Sequence, residues 1–165
     1  YLKKNRIGLY MIFPLPTKYF MVSGSSDGET ELNAFDGALL KSGIGNTNLL
    51  KVSSILPPNC SEIAPLNFQE GSLLPIAYSS ITSSICDQVI SAAISIAHPM
   101  DSKKCGVIME FHNIGSRSST VEKAEFMAVE SMRVRGESVK LIQSISSEHI
   151  VKKSGASFSG VVLWT

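Results

Sequence analysis

Short apolar runs, separated by polar, Gly and Pro positions, predict that much of this chain forms β-strands. Runs rich in β-branched and aromatic residues mark the strands, which we expect at 19–23, 72–78, 89–97, 105–111, 139–150 and 156–164. The run ISAAISI (90–96) would also suit a buried helix, and we interpret it as a strand. Residues 24–28 combine Gly, Ser and Asp, which predicts a turn after the first strand.

A first helix is predicted to follow this turn. Thr30 suits the N-cap position, and Glu31 would lie in the first turn, where an acidic side chain interacts favourably with the helix dipole. One face carries apolar residues at helical spacing, namely Leu32, Phe35 and Leu39. Gly43 and Gly45 should end the helix.

A second helix is predicted over residues 122–135. Ser119 and Glu122 have the S-x-x-E spacing of a capping box, and Gly136 would end the helix. A broad apolar face is expected from Val121, Ala124, Met127 or Ala128, and Met132.

The order of these segments predicts the fold class. An extended apolar segment is expected at 48–56, interrupted by Ser53 and Ser54 and ended by two prolines. Strands outnumber helices and do not alternate with them, so we expect an α+β fold in a single domain spanning residues 1–165.

Composition excludes several classes of protein. Hydrophobic residues make up 44% of the chain and charged residues 18%, which is typical of a packed globular domain. The net charge of +1, without a basic run, gives no reason to expect a nucleic-acid partner, and the apolar runs are too short to span a membrane. Three cysteines without C-x-x-C spacing predict free, buried thiols in a cytoplasmic protein, with no disulfide framework and no metal site: Cys60, Cys86 and Cys105.

The first thirteen residues have the outline of a short signal peptide. Lys3, Lys4 and Arg6 precede an apolar run at 7–13. Pro14-Leu15-Pro16 follows in place of a small-residue cleavage site, so we interpret the segment as the start of a first strand or arm.

Two carboxylates fall where apolar residues are expected. Asp36 lies between Leu32 and Leu39, which would place it within the apolar face of the first helix. Glu110 is the one acid in GVIMEF (106–111), a run typical of a strand buried on both faces. Because a carboxyl in an apolar site holds its proton more tightly, Glu110 could be a general acid, and Asp36 could meet a cation. The alternatives are an Asp36 hydrogen-bonded at the edge of the apolar face and a Glu110 that reaches solvent at a strand end.

Other motifs carry less information. The glycine-rich stretch 43–48 follows a helix, whereas a phosphate-binding loop precedes one. The histidines lack the spacing of metal ligands, so we expect structural or surface roles for His98, His112 and His149. The serine pair at 53–54 indicates little by itself.

Taken together, the segments are similar to the pyruvoyl-dependent arginine decarboxylase family. The resemblance rests on GSSDGET (24–30), LNAFDGALL (32–40), GIGNTNLL (43–50), VSSILPP (52–58), ISAAIS (90–95) and CGVIME (105–110). It continues through the second helix and SSEH (146–149) to Trp164. Each motif is weak, but their order over most of the chain makes the combination specific.

The resemblance implies a fold and a self-processing reaction. The fold would be an αββα sandwich of mostly antiparallel sheets covered by two helices, assembled as a homotrimer of αβ units with active sites between neighbouring subunits. Cleavage between Ser53 and Ser54 would give a β chain (1–53) and an α chain (54–165). Ser54 would become the covalent pyruvoyl cofactor, and Asn48 would assist by stabilising the oxyanion.

The resemblance also implies the roles of the two unusual acids. Glu110 would be the catalytic proton donor, and the carboxylate of Asp36 would face the substrate guanidinium, with Ser53 also in the substrate site. The reaction would convert L-arginine to agmatine and CO2 through a Schiff base on the pyruvoyl group.

Two alternatives stay open at this point. The chain could instead be a pyruvoyl decarboxylase of ornithine, lysine or histidine. A single carboxylate such as Asp36 can bind more than one kind of cationic side chain. The other alternative is an unprocessed, non-catalytic trimeric relative. The chain keeps every residue that the chemistry requires, which favours an active enzyme: Asp36, Asn48, Ser53, Ser54 and Glu110.

Overall fold

The computed structural model describes residues 14–165 as two sheets between two helices. The elements, in chain order, are β1 (Lys18–Gly28), α1 (Glu31–Lys41), β2 (Asn48–Lys51), β3 (Ile55–Leu56), β4 (Ser61–Glu62), β5 (Leu73–Ser83), β6 (Val89–Pro99), β7 (Gly106–Ile114), α2 (Arg117–Val134), β8 (Val139–Ile150) and β9 (Ser154–Trp164). The arm predicted at 1–13 lies outside the described residues.

The strands form a sandwich with one helix on each outer face. Sheet 1 has the order β2-β5-β9-β1-β4, and sheet 2 has the order β3-β7-β6-β8. Within these sheets, only β1–β4 and β2–β5 pair in parallel. The α+β class and the mostly antiparallel sheets are therefore confirmed, and the layer order is that of an αββα sandwich.

Three apolar layers hold this stack together. Between α1 and sheet 1, Ala34 and Ala38 pack with Phe20 and Phe158. The layer between the sheets is built by Tyr19, Ala77, Val161 and Leu163 on one side and Leu56, Ile94, Ile96 and Ile108 on the other. The layer under α2 contains Ala97, Val107, Ala128 and Met132. In residues 14–165, neither helix is long and apolar enough to cross a bilayer.

Strand predictions were accurate except for the turn expected at 24–28. All six predicted strand segments are strands, including 90–96, but β1 continues through Gly28. A Cβ atom on Gly24 would lie 2.3 Å from the carbonyl oxygen of Ala38, and one on Gly28 would lie 2.4 Å from the backbone nitrogen of Ala34. These glycines permit α1 to lie directly on β1, and they do not form a turn.

Helix α1 begins and ends as predicted, but its buried face differs. Thr30 caps the helix, and Gly43, with φ +82°, follows its end. The buried residues are Ala34, Ala38 and Leu39, whereas Leu32 is 76% exposed and Asp36 is exposed. The prediction that Asp36 lies within the apolar face was therefore wrong. Close packing on the glycines of β1 selects the two small alanines for the buried face.

Helix α2 begins five residues earlier than predicted. The capping box assigned to Ser119 and Glu122 was wrong, because the N-cap is Ser116 and its Oγ accepts from the N–H of Ser119 at 3.4 Å. The N–H of Arg117 donates to Oε2 of Glu148 on β8 at 2.6 Å, so a residue distant in sequence completes the cap. The buried face consists of Thr120, Ala124, Ala128 and Met132.

The cysteines lie in loops and are less buried than predicted. All three are free, as expected, but Cys86 is exposed and Cys60 and Cys105 are only partly buried. Loops carry little of the core in this fold, so residues with a general preference for burial are not enclosed there.

Serine hydroxyls join the two sheets where the apolar layer between them ends. Ser157 on β9 accepts the N–H of Ala92 on β6 at 3.1 Å, and Ser159 donates to the carbonyl oxygen of Ala92 at 2.9 Å. Ser147 on β8 accepts the N–H of Phe158 at 3.0 Å. These bonds run from backbone to side chain across the sandwich, so they fix the position of one sheet on the other.

Asp27 fastens the connection between β8 and β9 to the end of β1. Its Oδ1 accepts the N–H groups of Lys152 at 2.9 Å and Lys153 at 3.3 Å, and its Oδ2 lies 2.9 Å from Nε2 of His149. Burial alone would raise the pKa of Asp27, but the two backbone donors and His149 hold that pKa below its usual value.

The close approach of α1 to β1 predicts that Gly24→Ala destabilises the protein. The added methyl group must push α1 away from β1, at a cost of about 1–3 kcal/mol in the free energy of unfolding. Chemical denaturation measures this effect, and Ser25→Ala, on the opposite face of β1, is the control. Equal stability of the two variants would contradict this packing.

The hydrogen bonds of Asp27 predict a pH-dependent contribution to stability. Asp27→Asn should lower the free energy of unfolding by about 1 kcal/mol at neutral pH. Because the folded protein holds the pKa of Asp27 below its unfolded value, this contribution is complete above about pH 4 and is lost as the pH falls through the folded pKa. Denaturation of both proteins from neutral pH into acid measures the difference. A gap that stays constant over the whole range would count against the ionised carboxylate as its source.

Candidate active site

The serine pair lies where the chain passes from one sheet to the other. The preceding strand β2 pairs with β5 of sheet 1, and the following strand β3 pairs with β7 of sheet 2. The N–H of Val52 donates to the carbonyl oxygen of Ile76 at 3.1 Å, and the N–H of Ile108 donates to the carbonyl oxygen of Ser54 at 2.9 Å. The bond between Ser53 and Ser54 is therefore held by hydrogen bonds to a different sheet on each side.

The backbone closes a three-residue turn at Ser54. The N–H of Ile55 donates to the carbonyl oxygen of Ser53 at 2.9 Å. An N–H in this place can stabilise negative charge that develops on that oxygen. Neither serine has a positive φ angle.

Glu110 on β7 lies beside Ser54. Its Oε1 accepts from Oγ of Ser54 at 3.5 Å, and its Oε2 forms an ion pair with Nζ of Lys51 at 3.0 Å. The strand is fully buried only at 106–108, and the Glu110 side chain is 20% exposed. The expectation of a strand buried on both faces at Glu110 was wrong. The fully buried part of β7 ends before this residue, and Glu110 contacts the polar side chains of Ser54 and Lys51.

Lys51 also belongs to this group, although little in its sequence context predicts this. Its Nζ donates to the carbonyl oxygen of Tyr78 at 3.0 Å and lies 4.3 Å from the centroid of the Tyr78 ring. A lysine at the end of a short strand looks like an ordinary surface residue in sequence. Its one available signal was its place three residues before Ser54.

Asn48 lies at the start of β2, and its side chain is bonded to a group other than the Ser53 carbonyl oxygen that it was expected to contact. Its Nδ2 donates to the carbonyl oxygen of Gly71 at 2.9 Å, which fastens β2 to the turn before β5. The donor that contacts the carbonyl oxygen of Ser53 is the N–H of Ile55. The assistance of Asn48 in cleavage stays a prediction.

Asp36 lies on the exposed face of α1. Leu32 and Leu40 are one turn away on either side and are 76% and 54% exposed. The three residues form a stripe of two leucines around one acid, which we call the α1 stripe. Among residues 14–165, the carboxylate of Asp36 has no hydrogen-bond or ion-pair partner.

An apolar cavity of about 500 Å³ opens beside Ser53. Its walls are formed largely by aliphatic side chains and prolines, including Leu50, Val52, Ile55, Pro75 and Leu163. A cavity of this size and lining suits the aliphatic part of a small substrate.

The histidines take structural or surface places. His98 lies 2.6 Å from Oε1 of Gln143, His149 pairs with Asp27, and His112 is exposed. Within residues 14–165, no three His, Cys, Asp or Glu side chains gather in a way that could bind a metal ion.

A protein-family model and several curated relatives of this chain carry the same family description. The model of the family described as pyruvoyl-dependent arginine decarboxylase matches residues 18–162. Curated relatives with this name include one from Methanocaldococcus jannaschii, 46% identical over 94% of each chain, and one from Methanococcus maripaludis C5, 41% identical over 92% of this chain and 93% of the relative. Another, from Pyrococcus furiosus, is 38% identical over 90% of this chain and 96% of the relative. The chain therefore belongs to the pyruvoyl-dependent arginine decarboxylase family.

Proposed function

We propose that the chain cleaves itself between Ser53 and Ser54 and then decarboxylates L-arginine to agmatine and CO2. Membership of the family supports the pyruvoyl group and the substrate. The observation that carries the cleavage proposal is the turn at Ser54, in which the Ser53 carbonyl oxygen faces an N–H donor while the Ser54 hydroxyl contacts Glu110.

The first step of cleavage is attack by the Ser54 hydroxyl on the carbonyl carbon of Ser53. Glu110 accepts the hydroxyl proton, and the N–H of Ile55 stabilises the negative charge on the carbonyl oxygen. The carbon–nitrogen bond then breaks and the nitrogen takes a proton, which leaves an ester in place of the peptide bond. Asn48 is the predicted second donor to the same oxygen.

Elimination and hydrolysis complete the cleavage. Loss of the α-proton of residue 54 and rupture of its Cβ–O bond release Ser53 as a carboxylate and leave dehydroalanine at position 54. One water molecule then converts this residue to a ketone and releases ammonia. The products are a β chain (1–53) and an α chain (54–165).

The hydrogen bonds around the cut would keep both new ends in place. The β chain stays in sheet 1 through β2 and the bond from Val52 to Ile76. The α chain stays in sheet 2 through β3 and the bond from Ile108 to the Ser54 carbonyl oxygen. The new ketone would thus remain beside Glu110 and the apolar cavity.

The surroundings of residue 54 fit a pyruvoyl group. A backbone donor holds the amide carbonyl oxygen next to the ketone, and a carboxyl group lies within reach. The ketone supplies a covalent link to the substrate amine and accepts the electrons released with CO2. Glu110 would return a proton to the substrate carbon, and the apolar cavity would exclude water from that carbon.

The α1 stripe supports an assembly in which a neighbouring subunit completes the site. Asp36 would bind the substrate guanidinium through two parallel hydrogen bonds, while Leu32 and Leu40 would be covered by the neighbour. We propose a homotrimer of αβ units with active sites between subunits, as the family resemblance implies. A cytoplasmic location, which the free cysteines favour, stays a prediction.

The cleavage proposal predicts two fragments for the folded wild-type chain. A denaturing gel of freshly made protein should show the full chain converting to 1–53 and 54–165, because the hydroxyl of Ser54 is the attacking group. Ser54→Ala should remain intact, and Ser138→Ala, a serine in an exposed loop, should cleave like the wild type. Cleavage of Ser54→Ala at the wild-type rate would refute the mechanism.

The proposed role of Asp36 predicts a defect in substrate binding alone. Asp36→Asn should raise KM for arginine about tenfold or more, because the guanidinium loses its counter-charge, while chain cleavage proceeds normally. Initial rates with arginine, ornithine, lysine and histidine measure both KM and preference, and the wild type should favour arginine. Glu122→Gln, an exposed acid on α2, is the control. An unchanged KM in Asp36→Asn would exclude this contact.

A further inference from the structure

We propose that Lys51 is a positioning residue that directs Glu110 at residue 54 in both reactions of this protein. The inference depends on the proposed function, because that function gives Glu110 its two proton transfers. Lys51 itself need not touch the substrate, since it would act through the glutamate.

The ammonium of Lys51 is held by more than its ion pair. Nζ lies 3.0 Å from the carbonyl oxygen of Tyr78 and 4.3 Å from the centroid of the Tyr78 ring, in addition to 3.0 Å from Oε2 of Glu110. The carbonyl belongs to β5, inside sheet 1, so its position is fixed by the backbone. Although the Lys51 side chain is 52% exposed, its charged end is therefore localised.

This arrangement gives the two oxygens of Glu110 different partners. Oε2 faces Lys51, which leaves Oε1 towards the hydroxyl of Ser54 at 3.5 Å. A glutamate at the edge of the core has other accessible rotamers, in which solvent would replace these contacts. Removal of the ammonium should therefore reduce the fraction of Glu110 side chains that point at residue 54.

The ion pair joins the same two sheets that the cleaved peptide bond connects. Lys51 ends β2 in sheet 1, and Glu110 lies on β7 in sheet 2. Self-cleavage removes the peptide link at Ser53 and Ser54 but leaves both of these strands in their sheets. The same contact can thus orient Glu110 before the cut and during decarboxylation.

A second lysine–glutamate pair provides a matched control. Lys104 and Glu137 lie 3.4 Å apart with exposures of 57% and 25%, close to the 52% and 20% of Lys51 and Glu110. Lys104 lies in the loop before β7, and its partner lies in the loop after α2. Loss of this pair removes a similar surface interaction without affecting Glu110.

The experiment compares Lys51→Met, Lys51→Arg and Lys104→Met with the wild type. We measure the rate of chain cleavage on a gel, and then kcat and KM for arginine after processing. Lys51→Met should slow cleavage about tenfold and lower kcat about tenfold with KM within about twofold, because only the orientation of the proton-transfer group is lost. Lys51→Arg should recover most of both rates, and Lys104→Met should match the wild type.

Combination with Glu110→Gln tests whether Lys51 acts through the glutamate. The double variant Lys51→Met/Glu110→Gln should cleave and turn over no more slowly than Glu110→Gln alone. The same slowing in both backgrounds, or wild-type rates in Lys51→Met, would overturn the inference. If Lys51→Met folds poorly by thermal unfolding, Lys51→Gln keeps a polar chain at this position and must show the same slow rates. A wild-type protein that neither cleaves nor forms agmatine would instead overturn the proposed function.

Discussion

A short crossing between two hydrogen-bonded sheets is the constraint on which this site depends. The chain leaves β2 in sheet 1 at Lys51 and enters β3 in sheet 2 at Ile55. Each flank is fixed by backbone bonds to its own sheet, so the residues between have little freedom to relax. The result is a turn that presents the Ser53 carbonyl group to a backbone donor and the Ser54 hydroxyl to an acid.

The sandwich brings the partners of this turn from both sides of the crossing. Glu110 comes from β7 in sheet 2, while Lys51 and the carbonyl group of Tyr78 come from sheet 1. Serine bridges such as Ser159 to Ala92 hold the sheets at a fixed separation. On the outer face, the glycines of β1 allow α1 to lie close to the sheet on its alanines, which turns the α1 stripe outward. One set of packing contacts thus holds the ion pair of Lys51 and Glu110 in place and leaves the α1 stripe exposed.

Local patterns in the sequence were sufficient for the strands and for most helix ends. The strand predicted at 139–150 is the whole of β8, and Thr30 and Gly43 marked the limits of α1. The failures concern contacts between segments that are distant in sequence. The glycines at 24 and 28 suggested a turn because their real partner, the backbone of α1, is absent from the local pattern. The cap of α2 depends on Glu148, thirty-one positions from Arg117.

The site residues likewise divide into those that the sequence alone identified and those whose roles depend on contacts between distant segments. Ser53 and Ser54 were identified from the family resemblance, whereas Glu110 also stood out as the one acid in an apolar run. The structure brings Ser54 and Glu110 together. Lys51 was missed, because its importance comes only from the acid and the carbonyl group that tertiary structure places around it. Asp36 was expected inside an apolar face and is instead exposed, because the alanines of α1 form its buried face.

The mass of the fragment that begins at position 54 tests the central claim most directly. If the hydroxyl of Ser54 breaks its own peptide bond by ester formation and elimination, this fragment will be lighter by one ammonia than a serine-initiated fragment and will react with a carbonyl reagent. A chain that stays whole after folding, or a fragment that starts with an intact serine, would contradict the account.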